Sequence, residues 1–315
     1  MRIQIPQNQS QKLKLADRQN ALPKPEWLKI RPPSTEKFGE IKSVLKIKKL
    51  FTVCEEAHCP NISECWSGGT ATFILMGDIC TRACRFCMVK SGNPHGILDA
   101  DEPQKLVEAV GTMKLDYVVL TCVTRDDLKD GGASHFASCV RALKKAFPHI
   151  LMEVLISDLN GDTDALKMII DSGPDVIGHN LETVEGLQKV VRDPRASYRK
   201  SLKILESAKK TGRQVYTKSS LMVGLGEKEE EVIKAMKDLR GAGVDIVTFG
   251  QYLQPSPFHL AVHEYVTPAQ FKKYQALAHR LGFLYCASGP FVRSSYRAGE
   301  LFMKNVLKGS GDAGG

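Results

Sequence analysis

Residues 70–90 read TATFILMGDICTRACRFCMVK. The first half, Thr70–Met76, is a β-branched and apolar run held between Gly69 and Gly77, the pattern of a strand buried on both faces. The second half is a loop carrying Cys80, Cys84 and Cys87 in C-x3-C-x2-C spacing. Downstream, strand and helix patterns alternate. Helical periodicity covers 103–114, 133–147, 163–172, 196–211, 227–241 and 268–281. Strand-like runs cover 116–123 (DYVVLTCV), 150–157 (ILMEVLIS), 175–178 (DVIG), 214–223 and 245–252 (DIVTFGQY), and 283–286 offers a last one. Six strand–helix units predict a parallel sheet covered by helices, an open or closed (β/α) barrel, with a doubly wound open sheet as the competitor. In a barrel the first strand would deliver the cysteine loop to the strand C-terminal end, where such folds carry their sites.

Working outward, the chain has 315 residues with 43% hydrophobic and 25% charged residues, the balance of a globular protein rather than a disordered one. No run approaches the roughly 18 apolar residues of a membrane span, and no secretory signal opens the chain. The net charge of +9 is concentrated: residues 1–50 hold 12 basic and 4 acidic side chains, 12 − 4 = +8, leaving the remainder nearly neutral. Pro23, Pro25, Pro32 and Pro33 keep that arm extended, and 38–50 reads as a short basic helix. Such an arm suits an acidic protein, a nucleic acid or a membrane surface, or simply a solvated extension. No aromatic-interleaved basic strand supports nucleic acid.

Nine cysteines, an odd number without a signal, argue against a secreted disulfide framework and for thiol ligands in a reducing cytoplasm. Cys54, Cys59 and Cys65 form a second triplet, C-x4-C-x5-C, just before the first strand. A structural zinc site takes four ligands, whereas a cubane cluster held by three thiolates keeps one iron open. Three plus three therefore suggests two clusters, each needing a further ligand. Cys122, Cys139 and Cys286 fall on predicted strands and a helix and read as small core hydrophobes.

The first triplet, with Phe86 before its last cysteine, resembles the motif of the radical S-adenosylmethionine superfamily. The second triplet, together with Arg293-Ser294-Ser295-Tyr296, is similar to the lipoyl synthase family. That likeness also covers Lys24–Leu28 (KPEWL), Thr72–Gly77 (TFILMG), Arg125–Leu128 (RDDL), Asp130–Ala133 (DGGA), Gly178–Thr183 (GHNLET) and Gln251–Pro255 (QYLQP). The resemblance implies a partial (β/α)6 TIM-type barrel of the radical S-adenosylmethionine type with N- and C-terminal extensions. The expected division is 1–69 for the basic extension and auxiliary cysteines, 70–287 for the barrel core and 288–315 for the tail with the RSSY motif.

The same resemblance implies the chemistry. Two sulfur atoms enter at carbons 6 and 8 of an octanoyl chain held on a lysine of a lipoyl carrier domain. One [4Fe-4S] cluster, on Cys80, Cys84 and Cys87, cleaves S-adenosylmethionine to a radical that removes hydrogen. A second, on Cys54, Cys59 and Cys65 with Ser295 as a releasable fourth ligand, donates sulfur and is consumed. A serine oxygen is a harder ligand for iron than a thiolate, which fits release; otherwise RSSYR is a polar turn. Arg293 is expected to brace the cluster or Ser295. Asp130, Gly131, Gly132, Glu153 and Asn180 are the expected S-adenosylmethionine contacts, competing with roles as caps, strand-face charge and turn residues. Gly224–Glu227 is an adenine-side segment or a plain strand-to-helix turn, and His179 is expected to be structural. Implied partners are octanoylated carrier domains (2-oxoacid dehydrogenase E2 subunits, glycine cleavage H protein), an electron donor and iron–sulfur assembly proteins, with no nucleic acid and no membrane, in the cytoplasm. The chemistry needs a cofactor because no side-chain base acts on an unactivated C–H bond. The alternatives are another two-cluster radical sulfur-inserting or methylthiotransferase enzyme, and a zinc-binding protein with a basic arm.

Overall fold

The computed structural model describes residues 22–28, 36–48, 50–56, 59, 61–67, 70–115, 117–211 and 215–295. Most of the basic arm, and Tyr296 of the RSSY motif, lie outside the described residues. Helix α1 (Glu36–Lys48) buries Ile41 and Leu45 and is tied to the body by an ion pair from Lys48 to Glu108. A two-residue strand β1 (Phe51–Thr52), short helices α2 (Val53–Glu56) and α3 (Ile62–Ser67), and strand β2 (Thr70–Leu75) follow. All six residues of β2 are buried, as the unbroken apolar run demands. Within the cysteine loop a small parallel ladder joins β3 (Ile79–Cys80) to β4 (Lys90–Ser91).

The alternation then runs α4 (Glu102–Met113), β5 (Tyr117–Cys122), α5 (Ala133–Ala146), β6 (Leu151–Leu155), α6 (Thr163–Asp171), β7 (Val176–Gly178), the one-turn α7 (Gln188–Val191), α8 (Tyr198–Lys210), β8 (Tyr216–Val223), α9 (Glu229–Gly241), β9 (Ile246–Gln251), α10 (Pro268–Arg280) and β10 (Tyr285–Gly289). The sheet order is β1-β2-β5-β6-β7-β8-β9-β10. Every pairing from β2 to β10 is parallel, and β1 alone is antiparallel. The expected (β/α) barrel is present with a seventh parallel strand at one edge. That strand, β10, matches β9 residue for residue from Tyr285↔Ile246 to Gly289↔Gly250, running past the 283–286 read from sequence.

Two layers of apolar side chains fill the fold. Helices cover the outer face of the sheet. A second cluster (Tyr117, Val119, Val176 and Ile246, with Leu151, Tyr216 and Tyr285 against it) is drawn from strands only, as expected of the inner face of a curled sheet. Lys218 and Glu153, 2% and 1% exposed, pair here at 2.7 Å, and the Tyr117 hydroxyl donates to Glu153 at 2.8 Å. The strand C-terminal ends all point to one rim, where the Cys80–Cys87 loop leaves β2; the second triplet lies in the chain between β1 and β2.

Candidate functional site

The loop after β2 is pinned by its neighbours. Arg82, 6% exposed, donates to Asp158 at 2.7 and 2.8 Å, to Asp126 at 3.0 Å and to Asn160 at 2.9 Å. Those acceptors stand in the loops after β5 and β6, so one guanidinium fork fixes the cysteine loop to two others. The Ala83 N–H donates to Asp193 at 2.9 Å, and Arg195 bridges Asp193 to the Thr81 carbonyl. His259, in the loop after β9, meets the Cys87 carbonyl at 3.0 Å. Thr81 and Arg125–Asp127, within the RDDL stretch, complete the frame: buried Arg125 pairs with Asp127 at 2.8 Å and donates to the Ile97 carbonyl.

Within this frame the sulfurs receive backbone donors. Cys80 Sγ accepts from the N–H groups of Arg82 at 3.4 Å and Thr124 at 3.3 Å, and Cys84 Sγ from Asp193 N–H at 3.4 Å. Cys87 is served by the Val89 backbone. In the second triplet the Cys54 thiol faces the Thr72 backbone and the Trp66 side chain, and the Cys59 thiol faces the Asn61 backbone. Burial pushes Cys54 and Cys87 up to about 12. It does the same to Cys122 and Cys286, so titration does not separate ligands from core thiols. Grouping in the chain does: Cys80, Cys84 and Cys87 share one loop, with N–H groups aimed at sulfur, the donor set that iron–sulfur clusters use. Cys54 and Cys65 stand on the two short helices that flank Cys59. Glu102, His135 and Cys139 also gather, but both Glu102 oxygens accept the Met76 N–H, at 3.0 and 3.1 Å, and His135 lies 2.6 Å from the same carboxylate, so the group is a strut under the cysteine loop.

Tertiary structure joins the second triplet to the far end of the chain. Asn61 donates to the Phe291 carbonyl at 2.6 Å, across 230 residues of sequence. Arg293 is half-buried near Cys59, whose thiol it favours as thiolate, and Nη1 donates to its own segment at the Val292 carbonyl, 2.8 Å. Ser295 stands two residues on and is half-buried.

The expected S-adenosylmethionine contacts are placed differently from one another. Asp130 accepts from the N–H groups of Gly132 and Ser134 at 2.9 and 2.8 Å and closes the turn into α5. Gly131 and Gly132 complete that turn with positive φ, and a Cβ on Gly132 would overlap the Met76 sulfur. Glu153 is held by Lys218 and Tyr117 in the barrel interior. Asn180 lies at the rim and donates to Glu182 at 3.1 Å. Glu227 accepts from the Gly224 and Leu225 N–H groups, so this stretch is built as a strand-to-helix turn. His179 is buried and hydrogen-bonded on both nitrogens, to the Ile156 carbonyl at 2.9 Å and to Ser201 at 2.8 Å.

Residues 74–239 match the Radical SAM superfamily, and residues 4–59 match the N-terminal domain of lipoyl synthase of that family. Among solved structures the fold is similar to methylornithine synthase (TM-score 0.54, 14% identity, 78% of this chain and 73% of that one). It is likewise similar to the FeFe-hydrogenase maturase HydG of Carboxydothermus hydrogenoformans (TM-score 0.54, 14% identity, 95% and 82%). Lipoyl synthase of Myxococcus xanthus is 55% identical, covering 90% of this chain and 95% of the relative. That of Thermus thermophilus is 52% identical (89% and 87%), and the chloroplastic enzyme of Ricinus communis 53% (90% and 80%).

The chain belongs to the lipoyl synthase family. As a radical S-adenosylmethionine enzyme of this family it calls for a [4Fe-4S] cluster and S-adenosylmethionine at the barrel rim. Two residues that sequence reasoning missed as individuals stand beside Cys84. Glu182 sits at φ 67°, is enclosed so that its carboxyl is pushed up, and raises the Cys84 and Cys87 thiols. Arg192, 7% exposed, donates from Nη1 to Gln188 and Ser201, while its Nε has no partner among the described residues. The GHNLET stretch contained Glu182, but nothing local distinguished it; Arg192 follows a one-turn helix that has no periodic signal.

Proposed function

We propose that this chain inserts two sulfur atoms, at carbons 6 and 8, into an octanoyl chain carried on a lysine of a lipoyl carrier domain, giving lipoyl-lysine. One observation carries the reading: two separate three-thiol sets flank the first strand of a parallel barrel, the second tied to the C-terminal segment through Asn61 and the Phe291 carbonyl. A structural zinc site is closed by four ligands, and two three-thiol sets do not have that pattern. Cys80, Cys84 and Cys87 hold the cluster that binds S-adenosylmethionine; Cys54, Cys59 and Cys65, with Ser295, hold the auxiliary cluster. When bound, these groups supply the electron, the hydrogen-abstracting species and the sulfur. The chain's own part is to hold, orient and enclose. Glu182 and Arg192 offer opposite charges beside Cys84 for the ammonium and carboxylate of the methionine end, with Asn180 positioning Glu182. Asp130, Gly131 and Gly132 shape the loop beneath. Glu153, tied to Lys218, lines the barrel below and keeps it closed to water, which limits side reactions of a radical.

Carrier domains of 2-oxoacid dehydrogenases and the glycine cleavage H protein are the proposed substrates, with a one-electron donor and iron–sulfur assembly proteins as the other partners. The cytoplasm is the proposed compartment, since nine free thiols suit a reducing environment; no helix among the described residues is long and apolar enough to cross a membrane. The division into 1–69, 70–287 and 288–315 stands as a proposal, with β1 and β10 stitching both extensions to the sheet.

The deciding experiment is anaerobic. An octanoyl-lysine peptide, S-adenosylmethionine and dithionite are supplied to the iron- and sulfide-loaded protein. The expected result is a peptide that has gained two sulfurs, with methionine released and protein sulfide consumed. An unchanged peptide beside intact clusters would overturn the reading; a colourless protein with stoichiometric zinc would support the zinc alternative instead.

A further inference from the structure

Residues 252–266, between β9 and α10, form a loop closed on itself at its base. The buried Gln251 side chain makes the closure. Its Nε2 donates to the Tyr252 carbonyl at 3.0 Å and to the Glu264 carbonyl at 2.9 Å, and its Oε1 accepts from the Val266 N–H at 2.8 Å. One amide thus holds the start and the end of the loop together. The far end is tied from inside: the Tyr252 hydroxyl donates to the Leu260 carbonyl at 2.7 Å, and Gln254 Nε2 to the His259 carbonyl at 2.9 Å. From there two donors reach the first cysteine loop. Leu260 N–H donates to the Arg85 carbonyl at 3.2 Å, and His259 Nε2 meets the Cys87 carbonyl at 3.0 Å, with Nδ1 on the Ser256 hydroxyl at 2.8 Å. A carbonyl only accepts, so the ring proton is on Nε2 and Nδ1 accepts from Ser256. The other side of the base meets the C-terminal segment. The Val292 carbonyl lies against Gly250, and Arg293 Nη1 donates to the Gln251 carbonyl at 3.5 Å. The same segment is held at the Phe291 carbonyl by Asn61, which stands between Cys59 and Cys65. A continuous path therefore runs from the Arg85 and Cys87 carbonyls through His259, Leu260, Tyr252 and Gln251 to 291–293 and on to Asn61.

We propose that the loop after β9, with the 291–293 segment, is a brace that fixes the first cysteine loop relative to the second triplet, and that His259 and Gln251 are positioning residues for sulfur insertion. The inference rests on the two-cluster reading given above. In that reading the carbon is selected at the first thiol set and receives sulfur from the second, so the two sets must keep one spacing. A misplacement of about 1 Å costs on the order of a hundredfold in rate. The other anchors of the first loop do not supply that spacing. Arg82 and the Ala83 N–H bind Asp126, Asp158, Asn160 and Asp193, all in loops after β5, β6 and β7. The chain itself joins the triplets through β2, but β2 lies at one side of an open sheet whose edges are β1 and β10. The Asn61–Phe291 bond crosses between those edges, and the loop after β9 carries the connection on to Arg85 and Cys87. The brace thus closes the seam that the strands leave open.

The test uses the iron- and sulfide-loaded full chain with octanoyl-lysine peptide, S-adenosylmethionine and dithionite, and reads methionine released per sulfur inserted. His259→Leu and Asn61→Ala break the path at opposite ends. Each is expected to raise that ratio about tenfold, through lost insertion rather than lost methionine release. His259→Gln, whose amide nitrogen replaces the Nε2 donor, is expected to stay near the wild-type ratio. The two bonds lie in series, so the double variant His259→Leu/Asn61→Ala goes no further than either single one. A second readout needs no turnover: amide hydrogen exchange of the loaded chain without substrate. Each single variant is expected to speed exchange at both 84–87 and 291–293 while leaving 151–155 of β6 unchanged, a transmission that a local structural bond would not give. Effects that multiply in the double variant, or faster exchange confined to the mutated side, would overturn the proposal. A wild-type ratio in both single variants would do the same. Should either variant lose its iron, Tyr252→Phe, which removes only the hydroxyl that holds Leu260, replaces it under the same two expectations. A wild-type chain that releases methionine and inserts no sulfur would instead defeat the two-cluster reading, a separate outcome.

Discussion

His179 shows how a residue that looks catalytic in sequence is bound into the frame. Arg192 donates to Ser201 at 2.8 Å; the Ser201 hydroxyl faces one His179 nitrogen, and the Ile156 carbonyl accepts from the other. The chain of donors requires a neutral ring with the proton on Nδ1. Burial, then the nearby Arg192 cation, pull its pKa down to about 4. The unfolded chain takes up this proton below about 6.5 while the native state does not until about 4, so stability falls as pH drops through that window. The loss attributable to His179 is about 3 kcal/mol at most, and His179→Gln is expected to flatten the pH 4–6.5 limb of a denaturation series. The cysteines separate by role at the same scale. Cys84→Ala is expected to abolish methionine release. Cys59→Ala retains some release but forms no thiolated product, and Ser295→Ala loses product while keeping most of the cluster absorbance. Mass spectrometry of the peptide beside a methionine assay distinguishes these. Thiolated product from Cys59→Ala would remove the donor role from that triplet.

Among elements, β9 and the segment after β10 make the most consequential contact. Gly250 lies against Val292, and a Cβ there would overlap the Val292 carbonyl oxygen. That carbonyl belongs to the backbone that brings Arg293 toward Cys59, with Ser295 two residues on. A backbone neighbour cannot swing aside as a side-chain tip can, so Gly250→Ala must push the segment off the strand. The expected phenotype is near-wild-type S-adenosylmethionine cleavage with sulfur insertion down by an order of magnitude or more. Equal product yield from Gly250→Ala would show that the 291–295 segment is not required at the second triplet. The loop after β2 is anchored more heavily, through Arg82 to Asp126 and Asp158 and through the Glu102 carboxylate to Met76, so it depends on no single contact.

At the scale of the molecule, the barrel encloses an ion pair. Lys218 on β8 and Glu153 on β6 meet across the inner face, with β7 between them in the sheet order. Removing one partner leaves an uncompensated charge in an apolar interior, at a cost of about 3–5 kcal/mol. Lys218→Met is expected to lower the denaturation midpoint accordingly, and adding Glu153→Gln to restore most of it; equal midpoints for wild type and Lys218→Met would deny the pair its structural role.

The alternation of apolar runs and amphipathic stretches determined the strand–helix sequence, because period-two and helical patterns are local. It also put Cys80, Cys84 and Cys87 after the first strand, at the rim, because every parallel strand ends on the same side. Thiol spacing is equally local, and so both triplets were legible. What followed from no local pattern was the pairing of distant segments. The two-residue β1 is too short to carry a period, and β10, read at 283–286, has its bounds set at 285–289 by its pairing with β9. The meeting of Asn61 with Phe291, of Arg82 with Asp126 and Asp158, and of Glu182 and Arg192 with Cys84 depends on which loops share a rim. Glu153, on the third strand, and Asn180, after the fourth, read alike as S-adenosylmethionine contacts; folding sends one to an interior lysine and leaves the other on Glu182. Only three-dimensional packing assigns partners to buried charges, because the cost of burying a charge is offset by whatever opposite charge the topology brings within reach.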